Sequence, residues 1–363
     1  MEEKIKEICK SFGIPGKPVS YKEITVGNVN KTYKADFFCE NGTVKSYVVQ
    51  QINTYVFRNP AQVMANIEKI TEHINKKKPD GSFLHYLHTP EGETYIHDKT
   101  GYWRICGYIP SITFSVCDDL EAVCSAGEAF GEFQQLLSDF DASTLFETIP
   151  DFHNTVKRYK TLEKDVQNDP LGRVKEVKRE LDWLFSVKDK ACGMTEMKNA
   201  GLLSLRVTHN DTKINNVLFD KETKKALTVI DLDTVMPGLA GHDFGDAIRS
   251  AANYVAEDSK EYEKAGVNLD IFKAFAKGFI SKTAHTLTEN ELSTLSLGCF
   301  VLACEQAVRF VDDYVTGDKY YKTTYPKHNL DRTRTQTALA KDMLDKMDAM
   351  NSIVRYILTE CGK

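Results

Sequence analysis

The stretch THNDTKINNVLFD, residues 208–220, decides the fold assignment. It places Asp211 two residues after His209, and Asn216 lies five residues further on. A short apolar run follows the asparagine at once, which indicates a polar loop that leads directly into a β-strand. A carboxylate and a carboxamide at this separation on one loop need a chemical explanation.

The next segment extends the pattern. After the polar turn KETKK comes ALTVIDLD, residues 226–233, so two apolar runs flank a turn and predict a β-hairpin. The hairpin delivers Asp231 to the end of an apolar strand, with Asp233 close behind it. Hard oxygen ligands of this kind suit a partly hydrated Mg²⁺ ion.

These residue types suit the transfer of a phosphoryl group. Transfer from a nucleotide to a hydroxyl needs a carboxylate beside the attacking oxygen and oxygen ligands for magnesium. The spacing His-x-Asp-x4-Asn is that of the catalytic loop of protein kinases. On this interpretation Asp211 accepts the hydroxyl proton, Asn216 and Asp231 hold Mg²⁺, and His209 supports the loop. A surface loop with capping aspartate and asparagine side chains is the plain structural alternative.

The composition is that of an ordinary globular protein, with 42% hydrophobic and 27% charged residues in a chain of 363. The net charge of -5 offers no basic stripe for nucleic acid or for an anionic membrane surface. The N-terminus has no apolar segment of the secretory kind, and no later run approaches the length of a membrane span. Nine cysteines without a C-x-x-C pair predict reduced thiols. We expect a cytoplasmic protein that is a monomer or a weak dimer.

Secondary-structure patterns change character along the chain. Residues 20–38 and 44–52 predict three strands, and residues 59–77 place apolar side chains on one face of a helix. A hairpin around Thr100 adds two strands. Beyond Pro110 long amphipathic helices predominate, and only three short segments there predict strands.

The predicted fold class is therefore α+β. We expect two lobes, because a chain of this length exceeds one ordinary core, and the kinase spacing of the 208–220 loop favours a protein-kinase-like architecture. Residues 1–109 would form a small, antiparallel, β-rich N-lobe with one helix, and residues 110–363 a large helical C-lobe. Ligands commonly bind in the cleft between such lobes.

Longer motifs narrow the assignment. The loop and hairpin together resemble the aminoglycoside phosphotransferase and choline kinase family, whose members phosphorylate small molecules. Within that family the chain is similar to the bacterial N-acetylhexosamine 1-kinases, over motifs that run along most of its length. These motifs are GNVNKTY at 27–33, VVQQIN at 48–53, PDFHNT at 150–155, DLDTVMPG and HDFGDAIR within 231–249, and GDKYYKTTYPKHNLDRTRTQ at 317–336.

The resemblance implies that ATP and Mg²⁺ serve to phosphorylate N-acetylglucosamine or N-acetylgalactosamine at the anomeric hydroxyl. The N-lobe would bind the nucleotide, and the C-lobe would hold the catalytic loop and the sugar. Asp211 carries over as the base, with Asn216 and Asp231 as metal ligands. The implied nucleotide contacts are Gly27, Asn28, Val29, Asn30, Lys31 and Gln50, the implied sugar contacts are Arg309, Tyr320 and Asp211, and the implied supporting residues are His209, Asp233, Asp243 and Asp246.

Two positions depart from the protein-kinase pattern. Protein kinases carry a strand-three lysine, and this chain has Gln50 at that place. An amide brings no charge, so Mg²⁺ and backbone N–H groups must neutralise most of the phosphate charge. Glu68 on the predicted helix then lacks its usual partner, and we favour a solvated position for it. The turn before Thr32 is not a P-loop, because positions 25 and 30 are not glycine.

Several alternatives remain open. An ion pair with Asp312 or Asp313 would explain Arg309, packing would explain Tyr320, and a plain hairpin turn would explain GNVNKT. His153 orients the sugar pocket or caps the following helix, and we favour the structural role. Two other functions fit the loop: an aminoglycoside or other amino-alcohol kinase, which would need a cluster of carboxylates, and a non-catalytic sugar or nucleotide sensor, which would not need a base.

Overall fold

The computed structural model describes residues 1–25, 29–79, 81 and 83–363. The first lobe is a five-stranded antiparallel sheet with strand order β1-β2-β3-β5-β4, accompanied by two helices. Its elements are α1 (Glu2–Ser11), β1 (Lys17–Ile24), β2 (Lys31–Phe38), β3 (Val44–Ile52), α2 (Pro60–Lys77), β4 (Ile96–Asp98) and β5 (Gly101–Gly107). The five predicted strands and the predicted helix α2 are present. Helix α1 is an addition to the predicted order.

The two helices of the first lobe cover opposite faces of the sheet. Successive residues of a strand point to opposite faces. Val49 and Ile105 pack with α1, whereas the adjacent Val48 and Cys106 lie on the side of α2. Helix α2 begins where the Asn59 side chain accepts a hydrogen bond from a backbone N–H of the first turn. The face of the sheet that carries Val48 and Cys106 is therefore turned toward the rest of the molecule.

The second lobe is mostly helical, with two small β-pairs. The hairpin β7-β8 is confirmed, and β6 pairs with a strand that the sequence did not predict, β9. Helix α4 is the helix expected after His153, whereas α7 lies outside the segments in which the sequence predicts helices, namely 118–140 and the regions around 173–190, 270–283, 288–315 and 333–358. The elements are α3 (Leu120–Leu136), α4 (Thr155–Asn168), α5 (Lys178–Ser186), α6 (Lys188–Asn199), β6 (Arg206–Thr208), β7 (Val217–Phe219), β8 (Ala226–Val229), β9 (Met236–Gly238), α7 (Ala240–Ala251), α8 (Leu269–Thr283), α9 (Glu289–Ser293), α10 (Leu295–Thr316), α11 (His328–Asp345) and α12 (Met347–Glu360).

Helices α7 and α10 cross so closely that their backbones touch. A Cβ atom placed on Gly298 of α10 would lie 2.0 Å from the carbonyl oxygen of Gly241 in α7. A Cβ atom on Gly245 would lie 2.3 Å from the carbonyl oxygen of Gly298. Only glycine permits this separation, so the crossing fixes α7 against the longest helix of the lobe.

We propose that the boundary between the lobes lies near residues 109 and 110, as the sequence predicts. Strand β5 ends at Gly107, and Ile112 already forms a β-bridge with Phe219 of the second lobe. One apolar core continues across this boundary from α2 into the helical lobe.

All nine cysteines are free in the structure. Among the described residues no helix is both long enough and apolar enough to span a bilayer.

Candidate active site

The loop between β6 and β7 brings Asp211 and Asn216 into direct contact. The amide nitrogen of Asn216 donates to the Asp211 carboxylate and also to the Asp211 carbonyl oxygen, both at 2.8 Å. The ammonium group of Lys213 lies 2.9 Å from the other carboxylate oxygen of Asp211. The Asp211 charge raises the pKa of Lys213 above its usual range, so the lysine stays charged at neutral pH.

His209 is built into the base of this loop. Its Nε2 atom lies 2.9 Å from the carbonyl oxygen of Ile230, and its Nδ1 atom accepts from the Asp211 N–H at 3.3 Å. Nε2 therefore carries the proton, since a carbonyl can only accept. The ring is fully buried, with edge contacts to Phe130 and Phe133. Both nitrogens are used by the backbone, so the imidazole holds the loop against the hairpin.

Helix α7 holds the other side of the loop through two carboxylates. Asp243 accepts from the backbone N–H groups of His209 and Asn210, at 2.9 and 2.8 Å. Asp246 accepts from the Thr212 N–H at 3.2 Å and is paired with Arg249. These bonds fix the backbone on both sides of Asp211, and they place Asp243 and Asp246 behind the loop rather than in the cleft.

Asp231 follows β8 in a left-handed backbone conformation, with φ 62° and ψ 58°. Burial and the nearby carboxylates of Asp233 and Asp211 raise its pKa to about 7. No donor among the described residues forms a hydrogen bond with its side chain. A half-buried carboxylate without a counter-charge of its own is a natural place for a cation.

The donors at this site fit Mg²⁺. The amide nitrogen of Asn216 is used by Asp211, which leaves its amide oxygen for a cation. Mg²⁺ is usually bound by one or two carboxylates together with waters and substrate phosphates, rather than by a closed cage of protein ligands. The described part of the chain contains no preformed group of three or more His, Cys, Asp or Glu ligands. Asn216 and Asp231 would hold such an ion, which would supply charge neutralisation to a bound triphosphate.

Asp233 joins the two lobes. One oxygen accepts from Nη1 of Arg104 in β5, and the other accepts from the Asn30 amide at 2.6 Å. Arg104 and Asp233 are each only 1% exposed. Arg104 Nε also donates to the side-chain oxygen of Gln50 at 3.0 Å. The predicted nucleotide-binding residue Gln50 thus lies beside a buried guanidinium.

The predicted phosphate-covering turn is described only in part. Gly27 and Asn28 lie outside the described residues. The carbonyl oxygen of Val29 accepts from the Asn53 side chain at 3.1 Å, and Asn30 accepts from the Asn53 N–H at 2.9 Å. Lys31 begins β2. The described end of the turn is therefore tied to the end of β3.

Glu68 of α2 lies outside this arrangement. Its carboxylate is 3.0 Å from Nε2 of His88, and both side chains are well exposed. The solvated position that the sequence favours for Glu68 agrees with this contact.

Arg309 and Tyr320 lie in an aromatic cluster of the second lobe. The guanidinium carbon of Arg309 is 5.5 Å from the ring centres of Phe152 and Tyr321 and 5.9 Å from that of Tyr320. Arg309 donates to Gln306 at 3.0 Å, and no ion pair with Asp312 or Asp313 joins it within the described structure. Tyr320 is 63% exposed, so its ring is free to meet a ligand.

A cavity of about 380 Å³ reaches the loop between β6 and β7 at Asn210. Its wall includes Phe152, whose ring also faces Arg309. Arg309 and Tyr320 do not line this cavity themselves. Phe152 therefore joins the cavity to the aromatic cluster that contains the two predicted sugar contacts.

His153 forms part of the cavity wall and of a buried polar cluster. Its Nδ1 lies 2.8 Å from Glu305, whose second oxygen accepts from Thr155 at 2.6 Å. Burial alone would raise the pKa of Glu305, but the charge and hydrogen bond of His153 outweigh it and hold that pKa at about 2. Asn154, not His153, caps α4. His153 is thus a buried partner of Glu305 at the edge of the cavity.

Sequence reasoning missed two charged residues of the site. Lys213 follows Asp211 by two residues within 208–220, so its position in the sequence alone could have indicated that it belongs to the site. Arg104 gave no local signal, because its partner Asp233 is 129 residues away in sequence. Only the pairing of β3 with β5 brings Arg104 beside Gln50.

Comparisons with known proteins agree with this geometry. The profile of the phosphotransferase enzyme family matches residues 22–274, which includes the catalytic loop, the hairpin and most of the first lobe.

Solved structures of similar shape cover nearly the whole chain. An aminoglycoside phosphotransferase from Alicyclobacillus acidocaldarius matches with a TM-score of 0.63 and 10% identity, over 98% of this chain and 96% of that one. A choline kinase from Cryptosporidium parvum gives 0.57 and 12%, over 94% and 93%. An amicoumacin kinase in complex with AMP-PNP, Ca²⁺ and Ami gives 0.58 and 11%, over 93% and 96%. The predicted two-lobed kinase-like fold is confirmed.

Proposed function

The chain belongs to the phosphotransferase enzyme family, and on that premise we propose that it transfers the γ-phosphoryl group of ATP to the anomeric C1 hydroxyl of an N-acetylhexosamine. The observation that carries this proposal is the meeting of Asp211, Asn216 and Asp231, next to Asn210, which lines the cavity. Asp211 contacts Asn216 directly, and the N–H of Ile230, the residue before Asp231, donates to the carbonyl oxygen of Asn216 at 2.8 Å. A base and two oxygen ligands at one point are what in-line phosphoryl transfer requires.

The roles follow from the contacts of each group. Asp211 accepts the proton of the sugar hydroxyl, and Asn216 and Asp231 hold Mg²⁺ on the nucleotide phosphates. Lys213, 2.9 Å from Asp211, supplies a fixed positive charge next to the position of the transferred group. The hydrogen bonds from Asp243 and His209 keep this loop in place before substrate arrives.

The proposed acceptor is a neutral monosaccharide. The cavity of about 380 Å³ lies at the small end of the range for ligand pockets. Arg309 offers the charge-assisted hydrogen bonds that sugar hydroxyls accept, and the exposed ring of Tyr320 can lie against a pyranose. The motifs shared with the N-acetylhexosamine 1-kinases point to the same acceptor.

An amino-alcohol or aminoglycoside acceptor is the second candidate, because Glu147 and Asp151 line the cavity. Both carboxylates already have partners in the protein. Glu147 accepts from the Asp151 N–H at 2.8 Å, and Asp151 is bonded to Asn154 and Lys157. Lys198 also lines the cavity and would repel a polycation. These contacts favour the neutral sugar.

An acceptor panel separates the candidates. Purified protein with ATP and Mg²⁺ is offered free hexosamines, kanamycin and choline, and ADP release is measured. We expect turnover with N-acetylhexosamines, and phosphorus NMR should identify the sugar 1-phosphate. Turnover with kanamycin or choline alone would replace the proposed acceptor. Nucleotide binding without ADP release over the whole panel would instead favour the sensor.

The variant Asp211→Asn tests the base. It keeps the size of the side chain and a partner for Asn216, but it cannot accept a proton. We expect a loss in turnover of ~10²- to 10⁴-fold, with sugar binding by calorimetry nearly unchanged. Asp118→Asn, on the exposed segment before α3, is the matched control and should keep full turnover. An Asp211→Asn variant as active as the control would remove Asp211 from its role.

A further inference from the structure

The first lobe carries a buried charge at the place where the kinase pattern has a lysine. Gln50 occupies the strand-three position, and Arg104 is its direct partner across the antiparallel pair β3-β5. Directly paired residues project from the same face of a sheet. The two side chains are accordingly bonded to each other, Nε of Arg104 to the Gln50 oxygen, at 3.0 Å. The positive charge is thus present on this face, one strand away from its usual position.

Arg104 does not face solvent, and it reaches the second lobe. Its Nη1 donates to Asp233, and its guanidinium carbon lies 5.0 Å from the ring centre of Tyr86. Nη2 is buried and has no hydrogen-bond partner within the described residues. A buried donor normally finds a partner, so an orphan on a charged group needs an explanation. The Tyr86 ring beside the guanidinium supplies a cation–π contact in place of that hydrogen bond.

Asp233, the partner of Arg104, is also hydrogen-bonded to Asn30 of the phosphate-covering turn. Asp233 accepts from Asn30 at 2.6 Å, and Asn30 is held in turn by the Asn53 N–H at 2.9 Å. We call Arg104, Asp233 and Asn30 the interlobe latch. Asp233 is two residues from Asp231, in the short 3-10 turn Leu232–Thr234 that follows it. The latch therefore connects the turn over the nucleotide to the segment that presents the metal-binding carboxylate.

We propose that Arg104 is a positioning residue that replaces the strand-three lysine. Through Asp233 it fixes the turn that presents Asp231 to Mg²⁺, and through the same carboxylate it holds Asn30, at the described end of the phosphate-covering turn. Metal binding and nucleotide binding are coupled by this one side chain. The inference rests on the proposed function for its nucleotide and its metal, but not for the identity of the acceptor.

The test measures how Mg²⁺ supports the binding of ADP, by calorimetry over a series of Mg²⁺ concentrations. Loss of groups that orient metal ligands typically costs ~10- to 100-fold in metal affinity. We expect Arg104→Met to raise the half-saturating Mg²⁺ concentration by this factor. Asn30→Ala should weaken ADP binding in the same direction and to a smaller degree.

A second variant separates loss of the latch from loss of folding. Arg104→Met alone leaves Asp233 charged and buried, so the double variant Arg104→Met/Asp233→Asn removes both charges and keeps an acceptor for Asn30. It should fold and should still need ~10- to 100-fold more Mg²⁺. Arg206→Gln, which breaks the separate Arg206–Glu291 pair, controls for loss of stability alone. It should lower Tm without any change in the Mg²⁺ requirement.

The outcomes distinguish the latch from the proposed function. A double variant that binds ADP with the parental Mg²⁺ requirement overturns the role of Arg104, even if sugar phosphorylation is found. If the parent protein binds Mg²⁺-ADP but phosphorylates no hexosamine, only the proposed acceptor is wrong. The Arg104 variants still test the proposed role of the latch. A parent that binds no Mg²⁺-ADP overturns both. In an active enzyme, the Arg104 variants should raise KM for ATP more than they lower kcat.

Discussion

The pair Asp312 and Asp165 gives the molecule a titrating group outside the active site. Burial, and then the adjacent Asp165 carboxyl, raise the pKa of Asp312 in α10 from 3.8 to about 7. The folded protein therefore keeps a proton on Asp312 at pH values where the unfolded chain has lost it. Stability must fall as the pH rises between these two values, because the folded state binds more protons there.

Asp312→Asn should remove this dependence. An amide cannot ionise, so the variant avoids the buried charge that the parent acquires as the pH rises through 7. We expect the two proteins to be equally stable near pH 4 and the variant to be more stable at pH 8. Urea unfolding across this pH range measures the difference. Asp345→Asn, at the exposed end of α11, is the control and should follow the parent. A parallel pH profile for Asp312→Asn would contradict the assignment.

At the scale of residues, the sequence predicts groups that lie close together along the chain. Asp211 and Asn216 share one loop, and their spacing alone was enough to assign both to one site. Asp231 followed from a hairpin whose turn is local. Arg104 could not be found in this way, because its bond to Asp233 depends on how the two lobes pack.

At the level of secondary-structure elements, the crossing of α7 and α10 determines where the loop around Asp211 is held. Helix α7 carries Asp243 and Asp246, whose carboxylates hold the backbone around Asp211. Its position is set by backbone contact at Gly298. Any group that separates the two helices must also move these carboxylates.

Gly298→Ala tests this dependence. Its Cβ would lie 2.0 Å from a backbone oxygen of Gly241, so the helices have to move apart. Overpacking of this kind typically costs ~1–3 kcal/mol, and we expect turnover to fall as well because the loop loses its support. Urea unfolding and ADP release measure the two effects. Gly193→Ala in α6 meets no atom within 4 Å and should keep both stability and activity. Full activity in Gly298→Ala would show that the loop does not depend on the crossing.

Elements with a strong pattern of their own were predictable, and short ones were not. Helix α2 has regular apolar spacing and a capping asparagine, so its bounds were nearly correct. Strand β9 has three residues and exists because it pairs with β6, which is distant in sequence. Helix α7 contains Gly241 and Gly245, and glycine is a weak helix former, so the local sequence does not favour a helix there.

The two lobes share one apolar core at the scale of the whole molecule. The cluster that contains Ile67 and Ile70 of α2 continues to Phe133 and Val229 in the second lobe. Asn66 adds hydrogen bonds across the same contact, donating to Val235 at 3.0 Å and to Phe146 at 2.8 Å. Unfolding of either lobe would therefore expose the apolar core residues of the other lobe to solvent.

We therefore expect the protein to unfold in a single transition. Differential scanning calorimetry should give one peak whose calorimetric and van't Hoff enthalpies agree. Asn66→Ala should lower Tm without splitting the peak, because the apolar contact remains. Two resolved peaks, or a stable fragment of the second lobe after limited proteolysis, would show that the lobes unfold independently.

The backbone conformation of Asp231 creates a trade-off between thermal stability and turnover. Its left-handed conformation costs an L-residue ~1–2 kcal/mol, whereas glycine adopts it freely. Replacement by glycine would thus stabilise the fold and remove the carboxylate that we propose as a ligand for Mg²⁺. Selection for thermal stability alone would therefore enrich inactive variants with glycine at position 231. Directed evolution of this protein must screen for product formation at every round.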